Sequence, residues 1–143
     1  MIVLSFDTCL NKTYLQLQNS DGNILASKII ENKDEKYHSA FLMPTLAEIL
    51  NENKLEIKDI SLIAVNVGPG SFTGIRACLV IARTLAQQWN IGVIGFPSLQ
   101  ILSCMNKTEK NSLVFMDARK NKAYVGIYDK SNNPLTEEKT VYL

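Results

Sequence analysis

The chain has 143 residues, 46% of them hydrophobic and 20% charged, with a formal net charge of +1. That suits one domain, or one and part of a second, with a core large enough to need no disulfide or metal staple. A balance so near neutral does not indicate the dense Lys/Arg footprint of a strong stand-alone nucleic-acid binder and leaves room only for a local patch, and no apolar run approaches the length of a membrane span.

In chain order, residues 2–6 (IVLSF) are a continuous apolar run, the mark of a buried strand. Residues 13–18 (TYLQLQ) alternate and read as a half-buried strand. The cluster Asn19-Ser20-Asp21-Gly22-Asn23 is a turn, and residues 24–30 complete a three-strand meander. A polar loop over 31–37 precedes a helix over 39–51, with Leu42, Leu46, Ile49 and Leu50 on one face, Ser39 as a candidate N-cap and Pro44 awkward in its interior. A second buried strand is expected over 61–67, a glycine-rich loop over 68–74, and a long helix ending near Trp89. A strand over 91–95 and a short helix over 97–105 follow. Strand–strand–strand–helix–strand–helix–strand is the order of a ribonuclease H-like α/β domain.

The tail repeats the start. Residues 113–127 (LVFMDARKNKAYVGI) match residues 3–17 (VLSFDTCLNKTYLQL) at a constant offset of 110, with Asp7 on Asp117, Asn11-Lys12 on Asn121-Lys122 and Tyr14 on Tyr124. Two hairpins of similar composition produce such a match by chance; an internal duplication produces it by descent. The second reading predicts one lobe over 1–95 and an incomplete second lobe over 96–143, its repeat beginning near residue 110.

Asp7 and Asp117, each ending a buried strand, are candidates for a cleft that holds a metal with a nucleotide; ending a hairpin strand is the plainer role. The segment Gly68-Pro69-Gly70-Ser71-Phe72-Thr73-Gly74 matches neither a dinucleotide fingerprint nor a P-loop. Sitting before a helix, its backbone N–H groups could cradle an anion. Alternatively, Gly68 and Gly70 supply unusual backbone angles and Gly74 permits close packing. Asp7, Gly68, Gly70, Ser71 and Asp117 are thus a candidate vestigial nucleotide or anion site.

On the long helix, Ile75, Cys78, Leu79, Ala82, Leu85, Ala86 and Trp89 make one apolar stripe, while Ala77, Val80 and Ile81 lie outside it, edged by Arg76 and Arg83. Phe41, Met43 and Ala47 lie off the stripe of the earlier helix. Spare apolar faces on two helices fit a partner interface or packing of the two on each other.

Cys9, Cys78 and Cys104 form no C-x-x-C pair and the chain has one histidine, His38, so a Cys/His zinc site lacks ligands. Three such cysteines fit a reducing compartment. The opening MIVLSFDT reads as a strand and not a signal peptide. The expected location is cytoplasmic. Arg119, Lys120 and Lys122 read as a solvated hairpin tip.

The run NVGPGSFTGIR (66–76), with Phe6-Asp7-Thr8-Cys9, His38-Ser39…Leu42-Met43-Pro44 and Asp117-Ala118-Arg119, resembles the TsaB (YeaZ) family over nearly the whole chain. The resemblance implies an actin-like/ribonuclease H-like (ASKHA) fold with an internal duplication, here with a truncated second lobe. It implies a non-catalytic dimerisation and scaffold role in making N6-threonylcarbamoyladenosine next to the anticodon of tRNA, beside a TsaD-type catalytic subunit and a TsaE-type ATPase. Homodimerisation in isolation, contact with tRNA only through the complex, and no metal or other cofactor are implied with it. The partner surface would comprise Phe41, Met43, Ala47, Arg76, Ala77, Val80, Ile81 and Arg83. The paralogue's metal site uses two histidines on one helix, and this chain has one. The alternative is a metal- and nucleotide-dependent transferase, or a glycoprotease-like hydrolase, using an Asp7/Asp117 cleft.

Overall fold

The structure, a computed structural model, describes residues 1–10, 12–31 and 38–143, with residues 38 and 39 described by their backbone alone. Its chain divides into two compact units, Met1–Gly95 and Phe96–Leu143.

The first unit begins with the meander β1 (Ile2–Asp7), β2 (Lys12–Asn19) and β3 (Ile24–Glu31). Helix α1 (His38–Glu52) and a 3-10 turn (Ile57–Asp59) lead to β4 (Ile60–Asn66), then α2 (Phe72–Trp89) and β5 (Gly92–Phe96). The sheet order is β3-β2-β1-β4-β5, antiparallel along the meander and parallel between β1 and β4. Register sets two apolar rows across it. Leu17, Leu4 and Ile63 stand side by side, and so do Leu15, Phe6 and Val65. Leu42, Leu46, Ile49 and Leu50 from α1 and Cys78, Ala82 and Leu85 from α2 complete the buried cluster with these rows. Each such leucine contributes roughly 1.5–3 kcal/mol by leaving water.

Pro44 stays inside a continuous α1. It and Ala40, whose carbonyl loses its helical partner there, are both exposed, so water can satisfy that oxygen. The helix begins at His38, which places Ser39 inside its first turn. The side chains of both residues, the loop over 32–37 and Asn11 of the repeat lie outside the described residues.

The second unit places α3 (Ser98–Ser103) against the meander β6 (Ser112–Arg119), β7 (Lys122–Tyr128) and β8 (Lys139–Tyr142). Lys120 and Asn121 both have positive φ (53° and 56°), the two-residue turn that matches strand twist in a hairpin. Asp7 and Asp117 do the same local work. An Oδ1 of Asp7 accepts from the Cys9 N–H (2.6 Å), and an Oδ1 of Asp117 from the Arg119 N–H (2.7 Å). The two hairpins differ in pairing, however. Asp7 lies opposite Tyr14, whereas Asp117 lies opposite Ala123, with a bulge between Asp117 and Arg119. The ungapped offset of 110 therefore does not carry over into strand register.

Tyr128 is buried and its hydroxyl donates to Glu138 Oε1 at 2.6 Å. Burial, then the hydrogen bond to that carboxylate, push its phenol well above the ordinary tyrosine range. The folded state thus holds this proton more tightly than the unfolded chain. The stabilisation is complete below the unfolded value of about 10 and is lost as pH rises beyond it. Denaturant unfolding between neutral and strongly alkaline pH should show this loss. In Tyr128→Phe it should flatten, with neutral-pH stability lower by about 1 kcal/mol. An unchanged alkaline slope would dismiss the role of Tyr128.

Among the described residues, no helix is long and apolar enough to cross a membrane.

Candidate functional site

The glycine-rich segment and the β1–β2 turn form one knot. The Thr8 hydroxyl donates to the Gly74 carbonyl at 2.6 Å, and the Ser71 N–H to the Cys9 carbonyl at 2.7 Å. Asn66, buried at the end of β4, ties the knot from below. Its Nδ2 donates to Asp7 Oδ2 at 2.9 Å, and its Oδ1 accepts from the Gly68 N–H at 2.8 Å. The Cys9 thiol donates to the Asn66 carbonyl at 3.4 Å.

Each expected anion-site residue is accounted for in this knot, save Asp117, which lies in the other unit. Gly68 has a φ of +93°, a conformation that favours glycine. Gly70 does not; it is a glycine because a Cβ would run into the Cys9 carbonyl. Gly74 is one for the same reason against Thr8. Ser71 caps α2, its Oγ accepting from the Gly74 N–H at 3.3 Å and its carbonyl from the Ile75 N–H at 2.8 Å. The N–H groups of Gly68, Ser71, Gly74 and Ile75 are thereby taken by the protein itself. Both oxygens of Asp7 accept from protein donors. The Cys9 thiol is pushed far up by the adjoining Cys78 thiol, burial and Asp7, which keeps it protonated and a poor nucleophile. Among the described residues, no three His, Cys, Asp or Glu side chains gather into a metal site.

The outward side of α2 is different. At 100° per residue, Phe72, Arg76, Val80 and Arg83 share the side opposite Cys78, Ala82 and Leu85. Phe72 is 74% exposed and Val80 61%. The Arg76 guanidinium lies over the Phe72 ring, 5.5 Å from its centroid. Ile81 falls on the core side and packs against the buried cluster, and Ala77 is half-buried beside it. Trp89, expected in the buried stripe, is 42% exposed because it ends the helix. On α1, Phe41 flanks one side of the buried stripe while Met43 and Ala47 flank the other; all three are exposed. The two helices touch each other as well as the sheet.

Sequence reasoning passed over Phe72 on this surface, although its i, i+4 spacing to Arg76 was a readable signal. It also passed over Thr8 and Asn66, whose partners lie 66 and 59 residues away.

Comparison with known proteins agrees with this architecture. YeaZ from Pseudomonas aeruginosa superposes with a TM-score of 0.83 at 23% identity, over 99% of this chain and 67% of that one. An ADPNP-bound activator of 2-hydroxyisocaproyl-CoA dehydratase from Clostridium difficile superposes with a TM-score of 0.53 at 15% identity, over 99% and 46%. The fold is therefore the actin-like, ribonuclease H-like α/β class. A family model described as "TsaD: tRNA N6-adenosine threonylcarbamoyltransferase" matches residues 23–139. The "tRNA threonylcarbamoyladenosine biosynthesis protein TsaB" of Bacillus subtilis is 32% identical over 139 residues, covering 96% of this chain and 59% of that protein. Its namesake in Escherichia coli is 29% identical over 137 residues, covering 93% and 57%. The chain belongs to the TsaB (YeaZ) branch of the family that this model describes. It spans less than two thirds of the length of these curated relatives.

Proposed function

We propose that the chain is a non-catalytic dimerisation and scaffold subunit of the system that places the threonylcarbamoyl group on N6 of the adenosine next to the tRNA anticodon. It binds a TsaD-type catalytic subunit, is joined by a TsaE-type ATPase, meets tRNA only within that assembly, self-associates when alone, and works in the cytoplasm without a cofactor of its own. The observation that carries this is the exposed Phe72–Arg76–Val80–Arg83 stripe of α2, with Phe41, Met43 and Ala47 exposed to either side of α1's own buried stripe. Apolar side chains between arginines, on helices whose other sides are already packed, suit a protein partner. A likeness both to threonylcarbamoyladenosine biosynthesis proteins and to the threonylcarbamoyltransferase family supports a TsaD-type subunit as that partner.

The test is sedimentation of the chain with and without a TsaD-type subunit. A discrete heterodimer is expected, and Val80→Asp should weaken it about 100-fold by setting an unpaired carboxylate in the contact. The same substitution should leave chain stability within about 0.5 kcal/mol, since Val80 faces water. Ile81→Asp, on the core side, should unfold the first unit instead. No association between two folded proteins would sink the proposal. So would a complex that forms normally but loses its activity on Asp7→Asn, because Asp7 would then be doing chemistry.

A further inference from the structure

We infer that Cys9 and Cys78 are a redox pair, a buried dithiol that hydrogen peroxide converts to a disulfide joining the β1–β2 turn to α2.

The two residues lie far apart in the chain and meet only through the fold. Strands β1 and β4 are parallel neighbours with Phe6 beside Val65, so the carbonyls of Phe6 and Asn66 stand at adjacent strand ends. The Cys78 thiol donates to the first at 3.6 Å and the Cys9 thiol to the second at 3.4 Å. Helix α2 comes in this close because Gly74, one turn before Cys78 on the same side, has no side chain. A Cβ there would lie 3.3 Å from the Cys9 Cα. The third cysteine, Cys104, is exposed and belongs to the second unit.

A buried cysteine is ordinarily a small apolar filler and inert. Two features set this pair apart. The thiols adjoin, so the first to oxidise has its resolving partner at hand. They are also unequal. A Cys78 thiolate accepts a hydrogen bond from the Cys9 thiol, and the Thr8 N–H adds to it, which holds Cys78 below the ordinary thiol range although burial opposes them. Cys9 is held far above that range. Cys78 is therefore the attacking sulfur and Cys9 the resolving one.

The Cys78 sulfur takes an oxygen from hydrogen peroxide as the O–O bond breaks, and the hydroxide released leaves as water with the proton that Cys78 gave up. The Cys9 sulfur then attacks the Cys78 sulfur. An S–S bond replaces the S–O bond, and the second hydroxide leaves as water with the Cys9 proton. Two thiols lose two electrons and one peroxide gains them. With Cys9 1% and Cys78 0% exposed, peroxide enters only when the knot opens, so the pair reacts more slowly than Cys104. Once formed, the bond closes the chain from the end of β1 to α2 into one loop, and a covalent link backs the hydrogen bonds of the knot.

Peptide mapping by mass spectrometry of the native chain treated with hydrogen peroxide tests this. The expected product has lost two hydrogens, about 2 Da, with the Cys9 and Cys78 peptides joined until dithiothreitol separates them. The oxidised chain should unfold in denaturant at least about tenfold more slowly than the reduced one. Cys104→Ser should show both the link and the slowing, and Cys9→Ser neither. Oxygen gained at Cys78 without a link overturns the inference. So does a link that forms only in the denatured chain, a link that includes Cys104, or a linked chain that unfolds as fast as the reduced one.

Discussion

Gly74→Ala is expected to destabilise the first unit by roughly 3 kcal/mol. On helix propensity alone the change should help, by about 1 kcal/mol, because Gly74 lies within α2. The close approach decides the sign. The new Cβ would collide with the Thr8 carbonyl, and Thr8 cannot retreat: its hydroxyl holds the Gly74 carbonyl and the next residue's carbonyl holds the Ser71 N–H. The neighbour is backbone at the end of a central strand, not a side chain free to turn. Gly22→Ala makes the control. Gly22 has a φ of +82° but nothing within 4 Å of a built Cβ, so only the conformational cost of about 1 kcal/mol applies. Denaturant midpoints should separate the two variants clearly. Equal losses would mean that the knot yields to a methyl group and is not the fastener described here.

Asn66→Leu is the second substitution with a large effect, on the order of 3–4 kcal/mol. The replacement is close in volume, so packing is not the issue. What changes is that Asp7 Oδ2 loses a donor and the Gly68 N–H loses an acceptor, both at a residue only 2% exposed. Removing one partner of a buried pair costs more than removing both. Asp7→Ala combined with Asn66→Leu should therefore cost about 1 kcal/mol less than the sum of the two single changes. Strict additivity in a double-mutant cycle would show that the two side chains stabilise independently.

These substitutions concern the part of the molecule least visible in its sequence. The strands were legible because their apolar runs are short and sharply bounded, as at IVLSF and SLIAVN. Helix α2 was legible from both ends, by the glycine segment before it and the Asn90 turn after it, where φ is +53°. The knot was not. Thr8 and Asn66 carry no pattern of their own, and their roles exist only once β1, β4 and α2 are side by side. Gly70 shows the same limit: a glycine suggests a backbone angle to the reader of a sequence, whereas here it answers a carbonyl from a distant loop. Ile81 was assigned to the outer side of α2 because a stripe drawn through Ile75 and Trp89 is rotated from the one the sheet contacts. The tail repeat was visible as letters, but one bulged residue, which leaves no mark in composition, shifts the pairing of the second hairpin.

The way β1 is tied in has a consequence for how the chain is made. The meander of β1, β2 and β3 is local and can pair as soon as it leaves the ribosome. Its face of Leu4, Phe6, Leu15 and Leu17 then has nothing to lie against until α1 emerges, and the far edge of β1 has no neighbour until β4 is complete. The turn after β1 is pinned only when Gly74 has been translated, 66 residues after its partner Thr8. At about 5–20 residues per second, the nascent meander presents a sticky sheet for several seconds. The closing of the knot therefore waits until Gly74 has been made, well after the meander it fastens.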